Sequence, residues 1–480
     1  MNDPVAFGTP RGRWVLFAAV LGSGIAFLDG TVVNVALPAI AADLHTGLSS
    51  LQWTLTAYLL TLGSLLVVGG SLGDLFGRRR IFVTGLAAFS VASLGCALAQ
   101  SSGQLIVARA VQGAAAAALV PGSLALISAS FRIDDRGRAI GAWSGLAGIS
   151  TAIGPFLGGW LIDSVSWRYV FVINVPLSAV AIAVALRHVP ESRDEDAVRH
   201  LDVAGGATLS LGLAGLVYAL IEGPAGAART TVVAAVTIGL AGLVAFAVIE
   251  RRSPQPMVPL ALFRSRQFSG ANAVTVAVYA ALGVATFLVV VHLETGLGYS
   301  ALSAGAALLP ITVIMLALSA RMGALAQRIG PRLPMTFGPV VVGAGMIMLS
   351  RVDPGSSYVS GVLPGVVVLA LGLAVTVSPL TTAVLAAVDD HHAGIGSAIN
   401  NAAARIASLL AIAVLPAVSG LSDDFAAGYR RSLLLSGALA AVGGAIAFLT
   451  IRTATPVSAA VSVPVGPSCH SSCVKIEHAA

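Results

Sequence analysis

The chain has 480 residues, of which 57% are apolar and only 10% are charged, with a net charge of +6. Soluble domains carry about 25% charged residues, so this composition excludes an ordinary soluble globular protein and indicates a membrane protein. The positive charge could also suit nucleic acid. The basic residues lie between apolar segments, however, where they orient a membrane protein, so we expect no nucleic-acid partner.

Fourteen apolar segments are long enough to cross a bilayer, and we name them spans 1–14 in chain order. Helices are the expected conformation because lipid offers no partner for unpaired backbone groups. The spans cover roughly residues 14–38, 51–72, 81–100, 104–127, 139–162, 169–186, 204–221, 230–249, 269–292, 302–320, 333–350, 358–385, 394–417 and 432–451. We therefore predict an all-α membrane protein.

The basic residues predict the orientation in the membrane. An even number of spans places both ends of the chain on one side. Most of the 27 Lys and Arg residues lie in segments on that side, including clusters at 78–80, 132–138 and 251–266. Because such segments stay in the cytosol, we predict a multi-pass protein of the cell (plasma or inner) membrane, with the lipid bilayer as a partner and both termini cytosolic.

A sequence repeat divides the chain into halves. "GSLGDLFGRRR" (70–80) joins spans 2 and 3, and "GALAQRIGPR" (323–332) joins spans 10 and 11. This placement matches transporters built from two repeated bundles, with the substrate bound between them. The predicted parts are a first six-helix bundle, a linker with an inserted transmembrane pair, a second six-helix bundle and a disordered cytosolic tail, at residues 1–190, 191–268, 269–451 and 452–480.

The residues required by common catalytic and metal sites are missing. The only lysine is Lys475, so no phosphate-binding loop ending in Gly-Lys can form, and active transport must draw on an ion gradient or a partner. Cys469, His470 and Cys473 lie in the tail and offer too few ligands for a structural zinc site. We expect no enzyme activity, no cofactor and no metal.

Two opposite charges lie inside the predicted spans. Asp29 stands in the apolar stretch "FLDGTVVNVALP" (27–38), where a carboxylate costs roughly 2.5–3.5 kcal/mol. At a helical rise of about 1.5 Å, Asp29 in span 1 and Arg109 in span 4 share a depth roughly 8 Å from the outer edge. Burial disfavours a charged carboxylate and a nearby arginine favours it, so we predict that this pair handles the coupled proton. A permanent ion pair that only fastens two helices is the alternative.

Four further polar residues are candidates for a substrate cavity. Asn34 follows Asp29 in span 1, Arg405 lies near the middle of span 13 beside Asn401, and Glu294 ends span 9. A charge within a span rarely faces lipid, so a position toward the central cavity is expected. Two alternatives stay open: backbone carbonyls could hold Arg405, and water at the interface could solvate Glu294.

Four stretches together resemble the major facilitator superfamily, and specifically its fourteen-span drug/proton antiporter branch. They are "LDGTVVNVALPAI" (28–40), "GSLGDLFGRRR" (70–80), "LIVARAVQGAAAA" (105–117) and "GAWSGLAGISTAIGPFLGGW" (141–160). The resemblance runs from about residue 14 to 451. It implies the major facilitator fold, with two six-helix bundles plus two inserted central helices, and transport by alternating access.

In stretch 70–80, the resemblance implies a cytosolic latch that stabilises one of the alternating states. The residues that match the latch motif are Gly70, Asp74, Gly77 and Arg78. From the residues alone, the glycines allow close helix approach and Asp74 can pair with arginines. The alternative is a cluster that serves only as a topology signal.

In stretch 141–160, the resemblance implies the antiporter motif that marks exporters in this superfamily. The matching residues are Gly154, Pro155, Gly158 and Gly159. Pro155 removes a backbone hydrogen bond and the glycines offer a smooth packing face, so a kinked, closely packed fifth helix is expected. Ordinary glycine-mediated packing is the alternative.

The sequence thus predicts a proton-coupled secondary transporter that exports amphipathic drugs or similar organic compounds by alternating access. Its partners would be a small-molecule substrate and protons. One alternative is a dedicated exporter of a single endogenous metabolite or lipid-like product. The other, from a different class, is a non-transporting membrane sensor, although such a protein has no need for charges such as Asp29, Arg109 and Arg405 within the membrane.

Overall fold

The protein, analysed as a computed structural model, is helical throughout the part that the structure describes. That part covers residues 5–193, 202–253, 256–388, 393–421 and 424–452. Thirteen helical segments within it are long and apolar enough to cross a membrane. The 32-residue helix Ile133–Ser164, at the position of predicted span 5, is long enough to be the fourteenth. The predicted all-α membrane protein is confirmed, and residues 453–480 of the tail predicted at 452–480 lie outside the described residues.

The helices correspond to the predicted spans and extend several residues beyond most of them. Spans 1–6 are Pro10–Asp43, Leu48–Phe76, Arg78–Ala97, Ser102–Ser130, Ile133–Ser164 and Tyr169–His188. Spans 7 and 8 are Val203–Glu222 and Arg229–Arg252. Spans 9–14 are Arg266–Gly296, Ala301–Ile329, Arg332–Leu349, Tyr358–Leu385, Ala393–Ser419 and Phe425–Thr450. Span 4 is interrupted between Ser102–Ala116 and Leu119–Ser130.

Two faces of the molecule follow from this even number of crossings. Span 1 begins and span 14 ends on the same face, which we call the terminal face, and the opposite one is the far face.

On the terminal face, Thr9 caps span 1 by accepting a hydrogen bond from the backbone N–H of Gly12, with Pro10 at the first helical position. These side chains fix where the first span begins.

A glycine with a positive φ lies in each of the two repeated connections on the terminal face. Gly77 separates spans 2 and 3 with a φ of 105°, and Gly330 separates spans 10 and 11 with a φ of 84°. This backbone region is open to glycine and strained for residues with a side chain. The sequence repeat therefore reflects a turn that both halves make in the same way.

The spans pack as two six-helix bundles with an additional pair. Spans 1–6 pack mainly on one another, as do spans 9–14. Spans 7 and 8 pack closely on each other at glycines. Gly212 of span 7 lies against Leu243 of span 8, and Gly215 lies against Gly239. Span 7 also lies against span 2, where the hydroxyl of Ser210 donates to the hydroxyl of Ser64 at 2.7 Å.

The bundles are joined by hydrogen bonds near the far face. The carboxylate of Asp163 in span 5 accepts from the backbone N–H of Leu302 in span 10 at 2.9 Å. The amide of Gln52 in span 2 donates to the carbonyl of Ile412 in span 13 at 2.7 Å. Among the described residues, these are the side-chain hydrogen bonds that connect the first bundle to the second. The two bundles are thus fastened at one end.

Candidate functional site

Asp29 and Arg109 lie in direct contact inside the first bundle. The side chains are 0% and 1% exposed, and the Nη1 of Arg109 lies 2.5 Å from the Oδ2 of Asp29. The pair sits between span 1 and span 4, at the common depth that the helical rise gives. Two charges in such a dry environment are tolerated only when every remaining polar atom finds a partner.

The second carboxylate oxygen of Asp29 is satisfied by two neutral amides. Its Oδ1 accepts from the side-chain amides of Gln112 in span 4 and Asn174 in span 6, each at 2.9 Å. Both amides also donate to the hydroxyl of Ser93 in span 3, at 2.7 and 3.3 Å. Asp29 therefore accepts three donors that all stabilise its charged form.

Arg109 also contacts two residues of span 2. Its Nε donates to the carbonyl of Thr54 at 3.1 Å, and its guanidinium lies 4.1 Å from the centre of the Tyr58 ring. The Tyr58 hydroxyl in turn donates to the carbonyl of Ala26 at 3.0 Å. Five of the six helices of the first bundle thus contribute to one buried polar network. A change in the charge of Asp29 would therefore affect hydrogen bonds throughout this network.

Sequence reasoning missed Gln112, Asn174 and Ser93. Gln112 follows Arg109 by three residues, which places both on one helix face, so this partner was open to prediction. Asn174 is an isolated amide in the apolar stretch of span 6, a weaker signal of the same kind. Ser93 carries none, because serines are common in this chain.

Arg405 lies at the boundary between the bundles. It is half-buried, its guanidinium lies 5.7 Å from the centre of the Phe27 ring in span 1, and its Cβ packs beside Gly63 in span 2. Among the described residues it has no ion pair and no hydrogen bond. An arginine at this depth without an anion keeps its full charge available to whatever enters between the bundles.

Of the other predicted cavity residues, Asn401 lies one helical turn from Arg405 in span 13, whereas Asn34 and Glu294 lie in spans 1 and 9. Asn34 donates to the carbonyl of Gly30 in its own helix at 3.3 Å. Asn401 is half-buried, and it makes no hydrogen bond with any described residue. Glu294 lies at the far-face end of span 9, in a π-helical turn, with a buried Oε1 that lacks a described partner. The predicted set is therefore spread over different levels of the membrane.

Asn400, next to Asn401, makes the polar contact within the second bundle. Its amide donates to the Oδ1 of Asn272 at 3.1 Å and to the hydroxyl of Thr275 at 2.6 Å. These contacts join span 13 to span 9 without any charge. They are the nearest counterpart in the second bundle to the ionic network of the first.

The latch residues form contacts within the first bundle. Asp74 near the end of span 2 pairs with Arg78 at the start of span 3, at 2.8 Å across the turn at Gly77. The backbone N–H of Arg79 donates to Glu191 at 3.0 Å, beyond the end of span 6. Gly77 leaves room for this acid, since a Cβ there would lie 2.8 Å from the carboxylate. Gly70 packs toward Pro121 of span 4.

The antiporter-motif residues line two sides of span 5, whose helix continues through Pro155. Gly154 and Gly158 lie against span 1 at Thr31 and Val32, so a Cβ at either position would meet those side chains. Gly159 lies against span 10, where a Cβ would fall 2.5 Å from the Cα of Leu302. Span 5 thus packs closely on its own bundle and on the other one.

The proline of this motif creates a hydrogen-bond contact with span 1. Pro155 has no N–H to give to the carbonyl of Thr151, four residues earlier. The hydroxyl of Thr31 lies 3.1 Å from that carbonyl and 3.0 Å from the carbonyl of Leu28 in its own helix, so its one hydrogen is shared between the two acceptors. Thr31 lies two residues from Asp29, so the freed carbonyl connects span 5 to the segment that bears the buried carboxylate.

Comparisons with known proteins agree with this architecture. The family model of the Major Facilitator Superfamily matches residues 19–412. The crystal structure of an auto-inhibited peptide transporter of the POT family matches with a TM-score of 0.69 over 92% of this chain and 96% of that chain. At 14% identity, that likeness concerns the fold alone.

Several curated relatives are more similar in sequence. The multidrug resistance protein Stp of Mycobacterium tuberculosis is 36% identical over 84% of this chain and 75% of its own length. The puromycin resistance protein pur8 of Streptomyces alboniger is 34% identical over 85% and 82%. The methylenomycin A resistance protein of Bacillus subtilis is 32% identical over 91% and 93%. The family predicted from the motifs is confirmed: the chain belongs to the Major Facilitator Superfamily of membrane transporters.

Proposed function

We propose that the chain exports amphipathic drugs or similar organic compounds from the cytosol in exchange for protons. The relatives named above as multidrug, puromycin and methylenomycin A resistance proteins support this substrate class. The absence of a phosphate-binding lysine from the sequence leaves an ion gradient as the energy source within this polypeptide.

The buried Asp29–Arg109 pair carries the proposal. A carboxylate is the side chain that can take up and release a proton here, and Asp29 is wholly enclosed by donors that favour its charged form. Protonation removes the attraction to Arg109 and leaves a buried guanidinium without its anion. The network must then rearrange, which is how the arrival of a proton can bias one packing of the bundle over another.

Span 1 transmits this change to the boundary between the bundles. Phe27 precedes Asp29 by two residues and faces Arg405 of the second bundle. Thr31 follows it by two residues and binds the freed carbonyl in span 5. Because span 5 also packs against Leu302 of span 10, a shift of span 1 alters both contacts between the halves.

The orientation completes the transport cycle that we propose. With the terminal face in the cytosol, the hydrogen bonds of Asp163 and Gln52 lie at the outer end of the bundle boundary. The described state is then closed to the outside. Substrate enters between the bundles from the cytosolic side, and proton binding at Asp29 drives the opposite closure.

Proteoliposomes provide the test. We expect vesicles with purified protein to accumulate ethidium and puromycin against their gradients when a pH gradient is imposed, and to stop when it is collapsed by an ionophore. Transport of one compound from a broad panel would favour the dedicated exporter instead. If the pH gradient moves no compound while the protein is folded, the transport proposal fails and the sensor alternative returns.

A further inference from the structure

Each bundle has a cavity lined by three arginines on the terminal face. The first arginine cavity, of about 520 Å³, contains Arg11 at the start of span 1, Arg79 at the start of span 3 and Arg187 at the end of span 6. The side chain of Arg79 donates to the carbonyl of Val189 at 3.1 Å. An arginine thus binds the carbonyl of the residue that caps the sixth helix of this bundle.

The second arginine cavity, of about 360 Å³, repeats this arrangement. Arg266 begins span 9, Arg332 begins span 11 and Arg452 follows the end of span 14. Arg332 donates to the carbonyl of Phe448 at 3.0 Å, and Arg266 to that of Leu449 at 2.8 Å. The same three helix ends of each half therefore supply the arginines, and the sixth helix again receives their hydrogen bonds.

The two cavities differ in whether an acidic residue lines them. Glu191 lines the first one, with its Oε2 3.7 Å from the Nε of Arg79 and its Oε1 3.0 Å from the backbone N of that residue. Among the described residues, no Asp or Glu lines the second. Glu191 follows Arg187 by four residues, whereas 453–476, after Arg452, contain no acid at all. Backbone carbonyls carry only partial charge, so the described residues of the second cavity keep the charge of three arginines, whereas Glu191 offsets one of the three in the first.

The surroundings of the second cavity indicate which anion fits. It lies at the membrane face, at the end of a span, and the neighbouring Phe448 and Leu449 are 51% and 65% exposed. A ligand with a phosphate beside hydrocarbon chains matches both the arginines and these apolar side chains. We propose that the second arginine cavity binds the phosphate headgroup of an anionic phospholipid, in the place that Glu191 takes in the first cavity.

The test uses the purified full chain and titration with phosphatidylglycerol, monitored by native mass spectrometry. Arg452 makes no hydrogen bond with the described residues, so Arg452→Gln removes charge with little effect on the fold. An arginine near a membrane surface contributes about a fivefold gain in affinity for anionic lipid. We therefore expect about fivefold weaker binding for Arg452→Gln and about 25-fold weaker binding for Arg266→Gln/Arg452→Gln. The matched control Arg11→Gln, in the cavity that Glu191 fills, should bind as the unmodified chain does.

Three outcomes would overturn the proposal. Equal binding of phosphatidylcholine would show that the negative charge is not recognised. Displacement of the lipid by inorganic phosphate at equal concentration would identify a site for the free anion rather than a lipid. Unchanged binding by the double variant would place the lipid elsewhere.

The first cavity offers a complementary experiment. Glu191→Gln keeps the shape of the side chain but removes the charge that neutralises Arg79. We expect this variant to gain a second bound phosphatidylglycerol, which Arg11→Gln should then weaken. If no second lipid binds to a folded Glu191→Gln protein, the two cavities are not equivalent and the argument from their comparison is wrong.

Discussion

The two bundles share an architecture but differ in how they hold polar groups inside the membrane. The first encloses an ion pair, Asp29 with Arg109, and satisfies it with the amides of Gln112 in span 4 and Asn174 in span 6. The second joins its spans 9 and 13 by the neutral side chains of Asn400 and Asn272. Its membrane-embedded arginine, Arg405, stands at the boundary without an acid among the described residues.

This difference indicates a division of labour. A buried ion pair costs desolvation energy, gives little net stability and is strongly disruptive when one partner is lost. Such a pair is therefore a poor fastener and a sensitive switch. A half-buried arginine beside an aromatic ring such as Phe27 can instead meet different ligands. We assign the proton to the first bundle and the adaptable substrate contact to the boundary with the second.

The largest expected effect separates the two arginines. Arg109→Ala leaves Asp29 buried without its counter-ion, so we expect a loss of about 3–5 kcal/mol in stability. Arg405→Ala, the matched change at the boundary, breaks no ion pair, and we expect a change below about 1 kcal/mol. Unfolding of both variants in detergent measures the contrast. Similar losses would mean that the bundles do not differ in the way described.

Gly159 tests the close contact between the bundles. Gly159→Ala places a Cβ against the backbone of span 10, and overpacking of this kind costs about 1–3 kcal/mol. Gly145→Ala is the matched control in the same helix, because nothing lies within 4 Å of its Cβ position. We expect slower transport and lower stability for the first variant alone. An equal response of the two would argue against a tight contact between spans 5 and 10.

Thr31 tests the connection from span 1 to span 5. Thr31→Val keeps the shape and removes the hydroxyl that satisfies the carbonyl freed by Pro155, a loss of about 0.5–1.5 kcal/mol. Thr84→Val serves as the control, since that exposed hydroxyl bonds only within its own helix. Melting temperatures of the two variants provide the comparison. A larger effect at Thr84 would rule out the proposed role of Thr31.

The latch should affect rate more than stability. The Asp74–Arg78 pair is partly exposed, so Asp74→Asn should change stability by less than about 1 kcal/mol. We expect slower turnover in vesicles because the charge helps to select one of the alternating states. Transport at the unmodified rate would reduce the arginine cluster to a topology signal.

The sequence predicts the fold and the principal contact of the site because both depend on one-dimensional quantities. The length of apolar runs gives the spans, and helical rise places Asp29 and Arg109 at one depth. Gln112 was accessible from its spacing to Arg109. These contacts need only the length of a helix or its periodicity.

The remaining contacts depend on which helices become neighbours. Asn174 reaches Asp29 only once span 6 packs beside span 1, and Thr31 reaches the carbonyl of Thr151, in addition to acceptors in its own helix, only because span 5 lies next to it. Asn34 is, like Asp29, a polar residue in the apolar run of span 1, yet its side chain bonds to its own helix. Periodicity in the sequence does not show which of these side chains reach a neighbouring helix, because packing sets how each helix is rotated about its own axis.

The central claim is that Asp29 carries the coupled proton, and Asp29→Asn in proteoliposomes tests it most directly. Asparagine keeps the shape and cannot release a proton at working pH. We predict that ethidium still exchanges down its own gradient, which shows a folded and mobile protein, while an imposed pH gradient no longer drives accumulation. Undiminished proton-driven accumulation by Asp29→Asn would contradict the account.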